Sequence, residues 1–259
     1  MDRKQRNQKK KRRRRIVFNI LLFILAIMSS AYIIIYSEVF NLKEIKVSGN
    51  QQMTETEIVE LSGLTLGENL LRIDKKASEN RITKGILIKS AEIKRKLPNI
   101  IEVYVLERKE AVFISGNNQA YILDFEGIPL KTVEIGESNL PMIKLDGELT
   151  LRLGELASIN DSGIDVLTLI ELLYYVKING FDYVDYIDIR EDNVYSTTTY
   201  GTLIKLDYSS NMKYQILFTK EIINDRIKNN QDVLGLIDFT KGENPVYIDF
   251  DDMEVKLEE

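Results

Sequence analysis

Ten of the first fifteen residues are Lys or Arg, and a run without a single charge follows at once. The basic residues are Arg3, Lys4, Arg6 and the block Lys9 to Arg15. The apolar run is Ile16 to Tyr36, with Asn19 its only strongly polar member. At about 1.5 Å per residue this run makes a helix of roughly 31 Å, close to the ~30 Å hydrocarbon thickness of a bilayer. A dense positive cluster on one flank holds that flank in the cytoplasm. The other flank, Ser37 to Glu44, carries only Glu38, Lys43 and Glu44. The expectation is a basic cytoplasmic tail over 1–15, a transmembrane helix over 16–36, and everything after it outside the cytoplasm.

A cleaved signal peptide is the rival reading. Ser29-Ser30-Ala31 has the small-x-small pattern of a cleavage site, and Ile16 to Met28 resembles an apolar signal core. Against it, Tyr32-Ile33-Ile34-Ile35-Tyr36 prolongs the run beyond the ~7–15 residues of such cores. Tyr32 and Tyr36 also suit the interfacial belt where aromatic rings anchor a span. The uncleaved anchor is therefore preferred.

Charge sets limits on partners. The chain is net -5, with 35 Lys+Arg and 40 Asp+Glu; the first fifteen residues hold ten basic groups and Asp2, or +9, so the remainder is -5 - 9 = -14. An acidic outer region argues against nucleic acid, whose phosphates need a basic face. There is no Cys, His or Trp. Disulfides are excluded, so packing alone must stabilise the outer region. Soft-metal and His-ligated sites are excluded with them, and no cofactor, metal or small-molecule substrate is expected.

After the span, Leu42 to Val47 alternates as a strand and ends at Gly49-Asn50. Thr54 with Glu57 forms a capping box, Ile58, Val59 and Leu61 supply an apolar face, and Gly63 ends the helix. Asp74 caps a second helix over about Lys75 to Lys84. Strands follow at Ile88 to Leu97 and Ile100 to Glu107, turning at Pro98-Asn99; Ile101, Val103 and Val105 share one face with Glu107. The order is β-α-α-β-β.

With these residues, that order resembles a POTRA domain, and more closely that of the bacterial division family FtsQ, called DivIB in Gram-positive bacteria. The matching residues are Ile45-x-Val47-x-Gly49-Asn50 and Gly67-x-Asn69-Leu70-Leu71-x-Ile73-Asp74. The fullest stretch is Ile93-x-Arg95-x-x-Pro98-x-x-Ile101-x-Val103-x-Val105-x-Glu107-Arg108-x-x-Ala111. The family's Tyr-Leu-Val-Asp-x-x-Gly type segment has its counterpart in Tyr121 to Gly127. Glu110 stands where the family often has Pro.

The region from Ala111 onward reads as β-rich with two helices. Strands at Ala111 to Ser115 and Ala120 to Asp124 flank the hairpin signal Gly116-Asn117-Asn118. Leu140 to Ile143 is extended. A helix capped by Asp161 or Ser162 runs to about Lys177, with Val166, Leu169, Ile170 and Leu173 buried. Strands are expected at Val184 to Arg190, Val194 to Thr199 and Thr202 to Leu206, with turns at Asp192-Asn193 and Tyr200-Gly201. A last helix, about Met212 to Asn229, places Met212, Ile216, Thr219, Ile223 and Ile227 on one side. Strands Gly235 to Phe239 and Pro245 to Phe250 close the fold. The series resembles the FtsQ/DivIB β-domain, with Ile187-Asp188 and Ile237-Asp238 at its strand landmarks; Phe239 departs from the Arg the family frequently has. The expected fold class is a single transmembrane helix plus extracytoplasmic α+β, with a POTRA domain over 37–108, a mixed β-rich domain over 109–250 and an acidic C-terminal tail over 251–259.

Ser210-Asn211-Met212-Lys213 matches the Ser-x-x-Lys nucleophile motif, but the Ser-Asp-Asn and Lys-Thr-Gly companions are missing. Ser210 reads better as the N-cap of the last helix. Asp182, Asp185 and Asp188 suggest a metal site only weakly: positions 185 and 188 of one strand point to opposite faces, and a solvated acidic edge is the plainer reading. Glu107-Arg108 reads as an internal ion pair or a partner contact. No catalytic residue is expected.

The strand from Pro245 is the most informative stretch. Pro at a strand's first position marks an edge, and an edge offers unpaired backbone groups to another chain. Val246, Ile248 and Phe250 are expected inward, Tyr247 outward. Pro245, Tyr247, Asp249 and Asp251 are the expected partner-binding residues, with a covered edge as the alternative. The resemblance implies that an FtsB/DivIC-like partner docks here, that FtsL-like proteins bind too, and that the chain is a non-enzymatic scaffold at the division septum acting indirectly on the septal peptidoglycan synthase. A membrane-anchored cell-wall enzyme using carboxylates and a POTRA-type chaperone or translocation module are the alternatives.

Overall fold

The computed structural model describes residues 3–136, 138–159, 164–178, 184–190, 193–242 and 244–250. Asp161, Ser162, Asp182, Asp192 and the acidic stretch 251–259 lie outside the described residues. The chain divides into two compact units, Met1–Glu107 and Arg108–Glu259.

In the first unit, α1 (Arg3–Ile35) is one continuous helix. Its segment Arg12–Ile34 is long and apolar enough to cross a membrane, and none of it is buried by the protein itself. A 3-10 turn over Glu38–Phe40 leads into β1 (Glu44–Ser48). Then come α2 (Glu55–Ser62), α3 (Lys75–Ile82), β2 (Ile88–Lys96) and β3 (Ile100–Glu107). The sheet order is β1-β3-β2, with β1 parallel and β2 antiparallel to the central β3. The helical crossover from β1 to β2 is what lets β3 return alongside β1 in parallel.

Alternation decides which face is covered. Ile101, Val103, Val105 and Glu107 of β3 are all buried, and Ile100, Glu102, Tyr104 and Leu106 are not. Ile58 of α2, Ile82 of α3 and Ile88 and Ile93 of β2 join them with Leu42, Leu64, Leu70 and Ile73 in one core. Fully burying a side chain of this size contributes about 1.5–3 kcal/mol. The helices are only eight residues each, too short to be stable alone, so this packing and their caps hold them. Thr54 accepts from the Glu57 amide while the Glu57 carboxylate accepts from the Thr54 amide at 2.8 Å, and Gly63 ends α2 at φ 64. The Asp74 carboxylate accepts from the Ala77 amide and starts α3.

The second unit is built on one sheet, nine-stranded among the described residues. Its strands are β4 (Glu110–Ser115), β5 (Ala120–Asp124), β6 (Pro129–Val133), β7 (Met142–Leu145), β8 (Val184–Arg190), β9 (Asn193–Thr198), β10 (Leu203–Leu206), β11 (Gly235–Asp238) and β12 (Val246–Asp249). They lie in the order β12-β11-β10-β9-β8-β7-β4-β5-β6. Pairs β4–β7, β7–β8 and β10–β11 are parallel and the rest antiparallel. Both edges begin at proline: Pro129 opens β6, and Pro245 immediately precedes β12.

Helices α4 (Val166–Ile178) and α5 (Met212–Lys228) contribute to the main core of this unit. Leu169, Ile170 and Leu173 of α4 and Ile216 and Ile223 of α5 meet Ile143, Ile187, Val194, Ile204 and Ile237 of the sheet. An irregular stretch adds Leu149, Leu151, Ala157 and Ile159 to the same core. A separate cluster of Phe113, Ala120 and Ile122, with Val133, Leu140 and Met142, gathers the alternate positions of β4 and β5. The buried stripe of α5 ends at Ile223, and Ile227 one turn further on is 46% exposed. One sequence expectation needs correction here. Asn211, not Ser210, caps α5, its side chain accepting from the Tyr214 amide at 3.2 Å.

Candidate functional site

The end of the sheet is assembled from three elements. β12 pairs antiparallel with β11, Leu236 opposite Ile248 and Ile237 opposite Tyr247, and no further strand follows among the described residues. Ile237 is buried in the main core, so its partner Tyr247 lies on the same, helix-bearing face. Tyr247 is half-buried and packs against that core. Val246, on the opposite face, is 43% exposed. The expected orientation is thus reversed: Tyr247 points inward and Val246 outward. The cause is register, since a strand's side chains alternate and pairing Tyr247 with Ile237 sends every second residue to the helices.

Arg226, in the last turn of α5, holds the strand in place. Its guanidinium carbon lies 3.5 Å from the Tyr247 ring centroid, and its Nη2 donates to Asp249 Oδ1 at 2.8 Å. Its Nε donates to the Asp232 carbonyl, and the Tyr247 hydroxyl donates to the same carbonyl at 3.3 Å. Burial raises the Tyr247 phenol above its ordinary value, with Asp249 and Asp232 adding to the rise and Arg226 opposing it. Gly235 leaves room for the ring: a Cβ there would sit 2.7 Å from the Tyr247 hydroxyl and 2.5 Å from the Ile248 carbonyl oxygen. The Arg226 cation over an aromatic face, with a carboxylate on its edge, is a locked arrangement.

Three of the four expected partner-binding residues lie among the described residues. Pro245 is half-exposed at the entry to β12. Tyr247 and Asp249 are drawn together by Arg226. Asp251 lies outside the described residues. Arg226 and Gly235 escaped notice in the sequence; the only available signal was a basic residue in the final turn of a helix.

The other singled-out residues turn to structural work. Glu107 and Arg108 do not pair with each other. The Glu107 carboxylate accepts from the Gln52 and Met53 amides at 2.7 and 3.0 Å. Burial pushes its carboxyl up, but those backbone donors outweigh it and hold the group below the usual glutamate range. Arg108 Nη1 instead donates to Asp124 at 2.6 Å and Glu126 at 2.9 Å. Asp124 Oδ1 accepts from the Glu126 and Ile128 amides, and Gly127 closes that turn at φ 72. Asp188 is not a solvated edge residue: it is buried, and Arg190 donates to it at 2.7 Å. The Ser210 hydroxyl accepts from Gln215 Nε2 at 2.6 Å and donates to the Asp207 carbonyl at 3.3 Å, while Lys213 pairs with Glu171 at 3.5 Å.

Comparison with known proteins gives this arrangement a context. Residues 40–108 match the POTRA domain, FtsQ-type. The cell division protein DivIB of Clostridium acetobutylicum is 26% identical over 216 residues, which cover 80% of this chain and 82% of that protein. The DivIB of Bacillus cytotoxicus is 31% identical over 134 residues, 51% of each chain. The cell division protein FtsQ of Corynebacterium glutamicum is 33% identical over 103 residues, 40% of this chain and 45% of that one. The chain thus carries an FtsQ-type POTRA domain and, with a candidate membrane-spanning helix, a β-α-α-β-β unit and a large mixed sheet, is similar over four fifths of its length to a DivIB cell division protein.

Proposed function

We propose that the chain is a non-enzymatic scaffold of the division complex. In this reading Met1 to Arg15 lie in the cytoplasm, α1 crosses the membrane once, and the two folded units work outside it at the septum. There they bind FtsL-like and FtsB/DivIC-like single-span partners and help recruit or regulate septal peptidoglycan synthesis. The charge asymmetry about α1 supports the orientation. The hydrogen-bonded settings of Ser210 and Lys213 support a structural reading of the one catalytic-looking motif.

The observation that carries the docking proposal is the position of β12 at the end of its sheet. A partner strand added there gains main-chain hydrogen bonds, and side chains on the face away from α5 supply specificity. Exposed Val246 and half-exposed Ile248 take the anchor role that Tyr247 cannot. Pro245 fixes where pairing starts. Asp249 is neutralised by Arg226, so steering of a basic partner falls to Asp251 and its acidic neighbours, and binding weakens with salt.

Val246→Arg tests this. It should leave the melting temperature of the detergent-solubilised protein nearly unchanged and weaken co-purification of the FtsB/DivIC-like partner at least about tenfold, the scale of one lost interface anchor. Wild-type recovery of the partner would place docking elsewhere.

A further inference from the structure

The residues just beyond α1 form a second surface whose setting points to lipid. The 3-10 turn and the segment after it pair with the connector between α2 and α3. The Leu42 amide donates to the Glu68 carbonyl at 2.8 Å, the Gly67 amide to the Leu42 carbonyl at 2.8 Å, and the Leu70 amide to the Phe40 carbonyl at 2.7 Å. Asn41 and Asn69 form an isolated β-bridge. The connector is thereby fastened to residues only five to seven positions past the end of α1, at most about 25 Å along the chain. A side-chain contact shortens that link further: the Arg72 guanidinium lies 5.0 Å from the ring centroid of Tyr36, whose ring is 4.4 Å from that of Tyr32 in α1.

These two fastened segments expose apolar side chains without an internal use for them. Leu66 is 60% exposed, Val39 57% and Leu71 37%, while their neighbours Leu42, Leu64 and Leu70 are buried in the core. Single exposed apolar residues are ordinary, but three on paired segments beside a membrane-spanning helix are a local concentration. Charge agrees. Across residues 37–43 and 64–72 the acids are Glu38 and Glu68 and the bases Lys43 and Arg72, a balance of zero, and residues 37–108 as a whole carry 12 basic and 11 acidic groups, so the acidic excess lies beyond this unit. An anionic head-group layer would therefore not repel this patch or the unit that carries it, as it would the acidic residues after 108.

We propose that Val39, Leu66 and Leu71 insert into the head-group and upper acyl region of the bilayer, with Arg72 and Tyr36 at the level of the lipid phosphates. The inference rests on α1 crossing the membrane. Its consequence is a fixed posture: the first folded unit is tied to the bilayer at two places, by its helix and by its connector. Apolar insertion with no net charge is insensitive to salt, unlike the acidic steering of the partner. Tyr and Arg are suited to the interface, having apolar bodies and polar tips.

The absence of cysteine makes the test direct. Leu66→Cys, Val39→Cys, Leu25→Cys and Gln51→Cys proteins carry an environment-sensitive fluorophore and are reconstituted as full chains in phosphatidylcholine–phosphatidylglycerol vesicles. The quenchers are lipids brominated either high or low on the acyl chain. Probes at 66 and 39 should lose about half their emission to the shallow quencher, at low and high salt alike. The probe at 25 should respond to the deep quencher, and the one at 51, beyond β1, to neither. Quenching at 25 but not at 39 and 66 overturns the proposal and leaves the span intact, and points to a protein occupant for the patch. No quenching at 25 overturns the membrane reading and this proposal with it. Emission changes at 66 that scale with protein-to-lipid ratio, rather than with brominated lipid, indicate a second copy of the chain and also overturn it.

Discussion

Glu107 and Arg108 are neighbours in sequence and serve different folded units. Glu107 closes the Gln52–Met53 turn, and Arg108 braces the turn that Asp124 begins. Glu107→Gln should cost about 1–3 kcal/mol, because two amides lose a charged acceptor. Its folded carboxyl lies below the usual glutamate value, so its contribution is full above that value. It is lost as pH falls through the lower folded value. Urea unfolding followed across mildly to strongly acid pH should show that loss in the wild type and a flatter profile in Glu107→Gln. Gly49 is the other sensitive position. It sits at φ +90, and a Cβ would come within 2.0 Å of the Val105 carbonyl oxygen. Gly49→Ala should destabilise the first unit by about 2 kcal/mol or more in thermal unfolding. Tyr247→Ala belongs in the same group, since the ring packs on the core beneath Arg226. A loss of about 1–3 kcal/mol is expected, whereas a solvent-facing ring would cost little.

Elements were legible wherever local chemistry and pattern agreed. The Thr54–Glu57 capping box, Gly63, Asp74 and the β3 alternation each carry their own signal, and each stands where it was expected. β6 was missed because Pro129 to Val133 is short and opens with the residue that usually argues against a strand; at an edge that objection disappears. The buried stretch through Leu149 and Ala157 has no period to read. The direction of Tyr247 failed for a different reason. Alternation gives two faces but does not say which is inner, and that choice came from pairing with β11 and from Arg226, 21 positions earlier in the chain. The cap of α5 shows the limit of local rules: Ser210 and Asn211 are both good N-caps, and Gln215 claims the serine hydroxyl. Asn211→Ala should therefore lower stability by about 1 kcal/mol. Circular dichroism melts would detect the shift, and the Asn211→Asp protein should recover most of it.

At the scale of the molecule, the described residues hold one long helix fit to cross a membrane, one small β-α-α-β-β unit and one wide sheet that ends at β12, the proposed docking edge. The resemblance to the FtsQ-type POTRA domain and the DivIB proteins is visible in the sequence because its landmarks are backbone requirements: Gly49 packs against Val105, and Gly127 turns after Asp124. The proposed partner edge is less visible, since an edge is defined by what does not pair beyond it. The central claim is that this membrane-anchored chain serves the division septum. The most direct measurement is imaging of a functional fluorescent fusion in growing cells of the source organism, scored against a membrane dye. The account predicts enrichment at midcell that rises as constriction proceeds. A uniform signal around the cell membrane at every stage of the cycle would contradict it.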